Sequence, residues 1–265
     1  MKGTSNGLAW VDRGPAHLSP ILLIRPLGGS MALWGPFADA LASEHRVLEF
    51  DARGSGASPG RPRTSTAGLA EDAVAVLEAR AIPRAHVFGI SLGGMVATRF
   101  VLARPDRVLA LVLASTAARG LAFEAAGLRR GIRFARCLTH EDHAAERCVV
   151  RRVLSHQFRV EHPEEAEHIA DRASRIPYPR TTILAHALAA ARHDARREIP
   201  SIRARTLVLA GDRDHLLGPD ACRGLATSIP GARRAVVPRA GHDLTLENPR
   251  DTASRVLEFV RSHPS

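Results

Sequence analysis

At 265 residues, 45% of them apolar and 24% charged, the chain has the material for one large α/β domain with a substantial core. Its formal charge of +10 rests almost wholly on arginine, Lys2 being the only lysine; with basic residues spread along the chain and 4% aromatics, no base-reading module is visible, which excludes a nucleic-acid partner and leaves only a basic approach favouring anionic substrates. Membrane spanning is excluded too, because Arg25 ends the first apolar run, Arg99 interrupts a later one, and the start of the chain lacks the basic-then-apolar order of a signal peptide.

Apolar β-type runs alternate with helical patterns, which predicts a mostly parallel sheet covered on both faces. An edge strand is expected at residues 7–11 and a core strand at 21–27. A helix at 34–43, a strand at 46–50 and a helix at 67–79 follow. The strand at 86–90 runs straight into a helix at 92–103, and the next strand is expected at 109–114. The alternation then stops from about 120 to 197, a stretch rich in Ala, Arg, His and Glu with a break at 176–179. This reads as a helical cap inserted after the sixth strand, dividing the core into residues 1–119 and 198–265. Strands at 207–210 and 235–237, with helices at 220–228 and 249–262, complete the core.

Between the strand at 86–90 and its helix lies Gly89-Ile90-Ser91-Leu92-Gly93, a G-x-S-x-G sequence. A strand that turns abruptly into a helix forces the central residue into a strained conformation and presents its hydroxyl at the sheet edge. So tight a turn leaves no room for Cβ atoms two positions to either side, which accounts for Gly89 and Gly93, while Gly94 lets the helix pack closely. The bland alternative for Ser91, an ordinary helix N-cap, explains neither glycine.

A serine so placed needs a base and an acid to orient it. Residues 207–214 form a buried strand ending in a turn that carries Asp212 and Asp214; residues 236–242 form another, whose following loop holds His242. Each lies just past a strand's carboxyl end, where such sheets build their sites. His242 is expected to take the Ser91 proton and Asp214 to fix its tautomer, with Asp212 as the rival acid better suited to shaping the turn. Asp243 is set aside because adjacent side chains rarely face each other. Oxyanion donors are expected from the Leu92 N–H, at a helix start, and from the Leu27 N–H, since Pro26 has none.

These segments, together with residues 26–34, 51–58, 104–108 and 111–118, resemble the α/β-hydrolase superfamily along nearly the whole chain, and within it the enol-lactonase-like and small serine esterase branch. The resemblance implies a serine hydrolase cleaving an ester or lactone of a small carboxylic acid through an acyl-enzyme, with no cofactor. The same framework also serves thioesterases, haloperoxidases without cofactor, carbon–carbon bond hydrolases and the acyltransferases or cyclases of natural-product pathways; a non-catalytic ligand sensor is the alternative from another class. One departure stands out: most relatives carry His-Gly where this chain has Arg25-Pro26, although the enol-lactonases also lack it and keep a step like Leu27-Gly28. Arg25 is then either a structural replacement or a cation facing a substrate carboxylate.

Asp51 and Arg53 sit in a glycine-rich turn and are expected to hold it. Met31, Trp34, Phe123, Phe134 and Tyr178 are candidates for lining an acyl pocket, each with core packing as its bland reading. His140 and His143, with Cys148 nearby, have helix-compatible metal spacing but lack a matching ligand cluster, so no metal is expected. Cys137, Cys148 and Cys222 suggest no disulfide framework, which points to a reduced, cytoplasmic setting.

Overall fold

Alternate side chains of a strand point to opposite faces of its sheet, so a strand covered on both sides is apolar throughout. The computed structural model, which describes residues 1–120, 132, 136–137 and 144–261, bears this pattern out. Strands β1 (Lys2–Ser5), β2 (Leu8–Arg13), β3 (Pro20–Ile24), β4 (Arg46–Phe50), β5 (Ala85–Ile90), β6 (Val108–Ala114), β7 (Thr206–Gly211) and β8 (Arg233–Val237) form one sheet in the order β1-β2-β4-β3-β5-β6-β7-β8. Pairing is antiparallel from β1 through β2 to β4 and parallel from there on.

Leu22 and Ile24 of β3 belong to one buried apolar cluster with Leu77 of α2 (Thr66–Ala79), Phe100 of α3 (Leu92–Ala103) and Leu225 of α8 (Pro219–Ser228). Ile21 and Leu23 pack on the other face with Phe37 and Leu41 of α1 (Gly35–Ala42) and Val256 and Phe259 of α10 (Pro249–Arg261). Strand β3 stops at Ile24, three residues short of the expected end, because Pro26 has no N–H for the ladder and the Gly29 N–H closes a turn on its carbonyl at 3.0 Å.

Between β6 and β7 run α4 (Ala144–Val153), α5 (His156–Glu161), α6 (Pro163–Ser174) and α7 (Arg180–Arg192). The chain leaves and re-enters the core side by side: the Gly120 N–H donates to the His193 carbonyl and the Ala195 N–H to that of Ala118, both at 2.9 Å. The inserted helices share a small apolar cluster, including Val150, Leu154, Phe158 and Ile169, which meets the core at Leu33 and Leu246. Contrary to the cysteine reading above, Cys137 and Cys148 are joined by a disulfide and only Cys222 is free among the described residues. That pairing removes the cysteine argument for a reduced setting. Among the described residues no helix is long and apolar enough to cross a membrane.

Candidate active site

Ser91 sits where β5 becomes α3, at φ 56° and ψ −120°, a region that a side-chain-bearing residue seldom enters. The surroundings enforce this conformation. A Cβ on Gly89 would lie 2.2 Å from the Gly93 carbonyl oxygen, and one on Gly93 would lie 2.1 Å from that of Ile24. One on Gly94 would lie 2.6 Å from Thr116. The Ser91 N–H donates to the Ala114 carbonyl at 2.9 Å, and its own carbonyl accepts from Thr116 Oγ1 at 2.7 Å. Thr116, unforeseen in the sequence, thus ties the turn to the neighbouring strand end.

The three side chains proposed from chain order meet in space. Ser91 Oγ is 2.8 Å from His242 Nε2, and His242 Nδ1 is 2.9 Å from Asp214 Oδ2. Asp214 and His242 are both buried. The other Asp214 oxygen accepts from the Leu216 and Leu217 amides at 2.8 and 3.0 Å, which locks the carboxylate in place. Burial opposes the charge of Asp214, yet His242 and these two amides hold its pKa below the ordinary 3.8. Burial likewise opposes a charged imidazole, but the Asp214 charge and hydrogen bond, backed by Asp243 and Glu247, leave the His242 pKa above 6.5. Asp212 accepts from the Ala240 amide at 3.2 Å, shaping the turn and not meeting the histidine.

The loop carrying His242 is held from the inserted segment. The Val153 carbonyl accepts from the amides of both His242 (3.0 Å) and Asp243 (3.2 Å). Glu247 accepts from the Ser155 amide at 2.6 Å and from its hydroxyl at 2.7 Å. Nothing in the sequence marked Val153, Ser155 or Glu247, because each acts across a long separation. Asp243, set aside earlier, does turn away from His242: it pairs with Arg25 Nη2 at 3.0 Å and accepts from the Thr245 hydroxyl at 2.6 Å.

This pairing decides where Arg25 belongs. Its guanidinium is buried, bonded to Asp243 and Thr245, and stacked 4.4 Å from the Trp34 ring. Trp34 in turn is fully buried against Phe37 and Phe88 and is core, not pocket lining. Tyr178 is also buried, with its hydroxyl spent on the Gly28 amide and His186. Phe134, Phe123, His140 and His143 lie outside the described residues. Cys148 is committed to its disulfide, and no cluster of metal-ligating side chains occurs among the described residues. Asp51 holds its turn by accepting from the amides of Met31 (2.7 Å) and Ala57 (2.8 Å), while Arg53 pairs with Asp72 at 3.0 Å.

Among the described residues neither the Leu27 nor the Leu92 amide meets an acceptor. Among the described residues Leu27, Leu33, Val150 and Leu246, with Arg25, His242 and Asp243, line a mostly apolar cleft that is partly open.

A family model described as the α/β hydrolase fold matches residues 19–249. The chain belongs to the α/β hydrolase fold family. Within that family it is 31% identical over 258 residues to a protein of Variovorax paradoxus named carbamate hydrolase RutD, covering 93% of each chain. It is 29% identical over 211 residues to 3-oxoadipate enol-lactonase 1 of Acinetobacter baylyi, covering 76% of this chain and 73% of that one. Among solved structures, the enol-lactonase of Burkholderia xenovorans LB400 superposes with a TM-score of 0.85 at 26% identity, covering 98% of this chain and 100% of the other.

In this α/β hydrolase the Arg25–Asp243 pair ties the loop after β3 to the loop after β8. Replacing Arg25 by alanine leaves Asp243 as a buried, uncompensated charge, and about 3–5 kcal/mol of stability should be lost in urea unfolding. Neutral and anionic esters should suffer alike; a loss confined to anionic esters would restore the carboxylate-facing role.

Proposed function

We propose that the chain is a serine hydrolase that cleaves an ester or lactone of a small carboxylic acid through an acyl-enzyme. The continuous chain from Asp214 through His242 to Ser91 Oγ, at 2.9 and 2.8 Å, carries this reading. His242 Nδ1–H donates to Asp214, leaving the Nε2 lone pair to accept the Ser91 proton as Oγ attacks the acyl carbon. The oxygen that gains charge is met by the Leu92 and Leu27 amides, Leu92 adding the positive end of α3. Collapse expels the leaving group, which takes the proton from His242. A water activated by the same imidazole then releases the acid. No step requires a cofactor.

A second reading shares every residue and differs only in the bond cleaved: the Variovorax relative's name favours a carbamate, whose carbonyl carbon also bears nitrogen. The test is a panel of p-nitrophenyl acetate, butyrate and octanoate, small lactones and simple carbamates, each run against Ser91→Ala. Esters and lactones should be turned over in a Ser91-dependent way. Turnover confined to carbamates would transfer the assignment to that class, and none at all would remove both. Across pH, kcat/KM should fall on the acid side, with an apparent pKa above 6.5 belonging to the coupled Asp214–His242 pair, because protonation removes the general base.

A further inference from the structure

The oxyanion loop is a four-residue turn, Pro26 to Gly29, closed by the Gly29 N–H on the Pro26 carbonyl at 3.0 Å. Gly28, at φ +75°, occupies the third position, the signature of a type II turn. A flip of the peptide between Leu27 and Gly28 would convert this turn to type I and reverse the direction of the Gly28 N–H. That peptide carries the Leu27 carbonyl and the Gly28 N–H; the Leu27 N–H belongs to the Pro26–Leu27 peptide one link back, so the flip would reach it by displacing the turn as a whole.

The Gly28 N–H is held from the inserted segment, where it donates to Tyr178 Oη at 3.0 Å. Tyr178 Oη lies 2.6 Å from His186 Nδ1 on α7, with the two rings edge to face at 5.9 Å. Both residues are buried, with relative exposures of 7% and 3%. An amide can only donate, so the phenol accepts from Gly28; with the imidazole proton on Nε2, the phenol gives its own proton to His186 Nδ1. Burial drives the His186 pKa down to about 4, so the imidazole is neutral and one ring nitrogen is free to accept. Burial also keeps the phenol protonated by raising its pKa.

We propose that Tyr178 is a positioning residue: its hydroxyl, backed by His186, anchors the Gly28 N–H and so fixes the place of the turn that carries the Leu27 N–H toward the developing oxyanion. This rests on the hydrolase reading above and places part of the oxyanion machinery's support in the inserted helices. The hydroxyl can be tested apart from the fold around it. The same segment is anchored to the loop after β4 by two other bonds, Gly56 N–H to the Pro177 carbonyl at 2.9 Å and Thr182 Oγ1 to the Gly54 carbonyl at 2.6 Å. Tyr178→Phe therefore removes one oxygen and leaves the ring and its segment in place.

With a short p-nitrophenyl ester, Tyr178→Phe should lower kcat by roughly 10- to 100-fold with KM within about twofold, a fraction of what losing an oxyanion donor outright costs. Affinity for a trifluoromethyl ketone, whose adduct carries the oxyanion, should fall by a matching factor. Adding His186→Phe to Tyr178→Phe should cost little more, since the two side chains act as one unit. Wild-type kcat and ketone affinity in Tyr178→Phe would overturn the proposal, as would a loss appearing only in KM. Should that variant fail to fold, amide exchange in the wild-type enzyme decides. Strong protection of the Gly28 N–H supports the clamp, and exchange at the rate of an open loop refutes it. Turnover that survives Ser91→Ala would sink the hydrolase reading instead, while Gly28 protection would still report on the clamp alone.

Discussion

Replacing Ser91 by alanine is expected to lower kcat for a short ester by on the order of 10⁴-fold or more, with unfolding unchanged. The size follows from the proposed mechanism, in which the Ser91 hydroxyl is the atom that forms the bond to the acyl carbon. Asp214→Asn should approach the same loss for a different reason. The carboxylate accepts from His242 Nδ1 at 2.9 Å and from two backbone amides. An asparagine there either offers an N–H to the imidazole, selecting the wrong tautomer, or turns it against the Leu216 and Leu217 amides. Because the three residues act as a unit, the double variant Ser91→Ala/Asp214→Asn should be little worse than Ser91→Ala. Additive losses would mean that Asp214 works outside the Ser91 chain.

Gly93→Ala should be the most destabilising single methyl in the core. Its Cβ would lie 2.1 Å from the Ile24 carbonyl oxygen and 2.7 Å from that of Arg25, both backbone atoms of the strand leading into the oxyanion loop. Ile24 ends β3 still in register with Gly89 of β5, so its carbonyl cannot step aside freely and relief requires β3 and α3 to separate. Overpacking of this kind costs about 3 kcal/mol or more, which for a chain this size lowers Tm by roughly 6–12 °C. Whatever protein remains folded should also turn over poorly, because the shift moves Leu27 relative to Leu92. Gly224 in α8 is the control: a Cβ there meets nothing within 4 Å, so Gly224→Ala should be neutral or slightly stabilising. A Gly93→Ala protein within about 1 kcal/mol of the wild type would refute the steric account of the turn.

What could be read from the sequence was whatever local sterics or strand burial impose. Gly89, Gly93 and Gly94 had to be glycine for reasons internal to one turn, and continuous apolar runs marked the buried strands. Chain order, with a position just past a strand's carboxyl end, pointed to Asp214 and His242 at the sheet edge where Ser91 lies. Strand β1 escaped notice because Lys2–Ser5 is a polar edge strand with no apolar rhythm. The available signal was Asn6-Gly7, whose φ angles of 53° and 74° make the tight hairpin turn to β2. Arg25 remained ambiguous for want of a local partner, since the carboxylate that claims it, Asp243, lies 218 residues away. Trp34 and Tyr178 were considered for a pocket because large aromatics suit either role. Trp34 belongs to the core behind Arg25, and the Tyr178 hydroxyl is occupied by the Gly28 amide and His186. Long-range hydrogen bonds such as Val153 to His242 leave no periodicity to detect.

The central claim is that the hydroxyl of residue 91 is an activated nucleophile. Incubating the intact protein with a fluorophosphonate and mapping the adduct by peptide mass spectrometry tests it most directly. The account predicts a single phosphonylated serine at position 91, formed far more slowly in His242→Ala. An unlabelled Ser91, or equal labelling with and without His242, would contradict it.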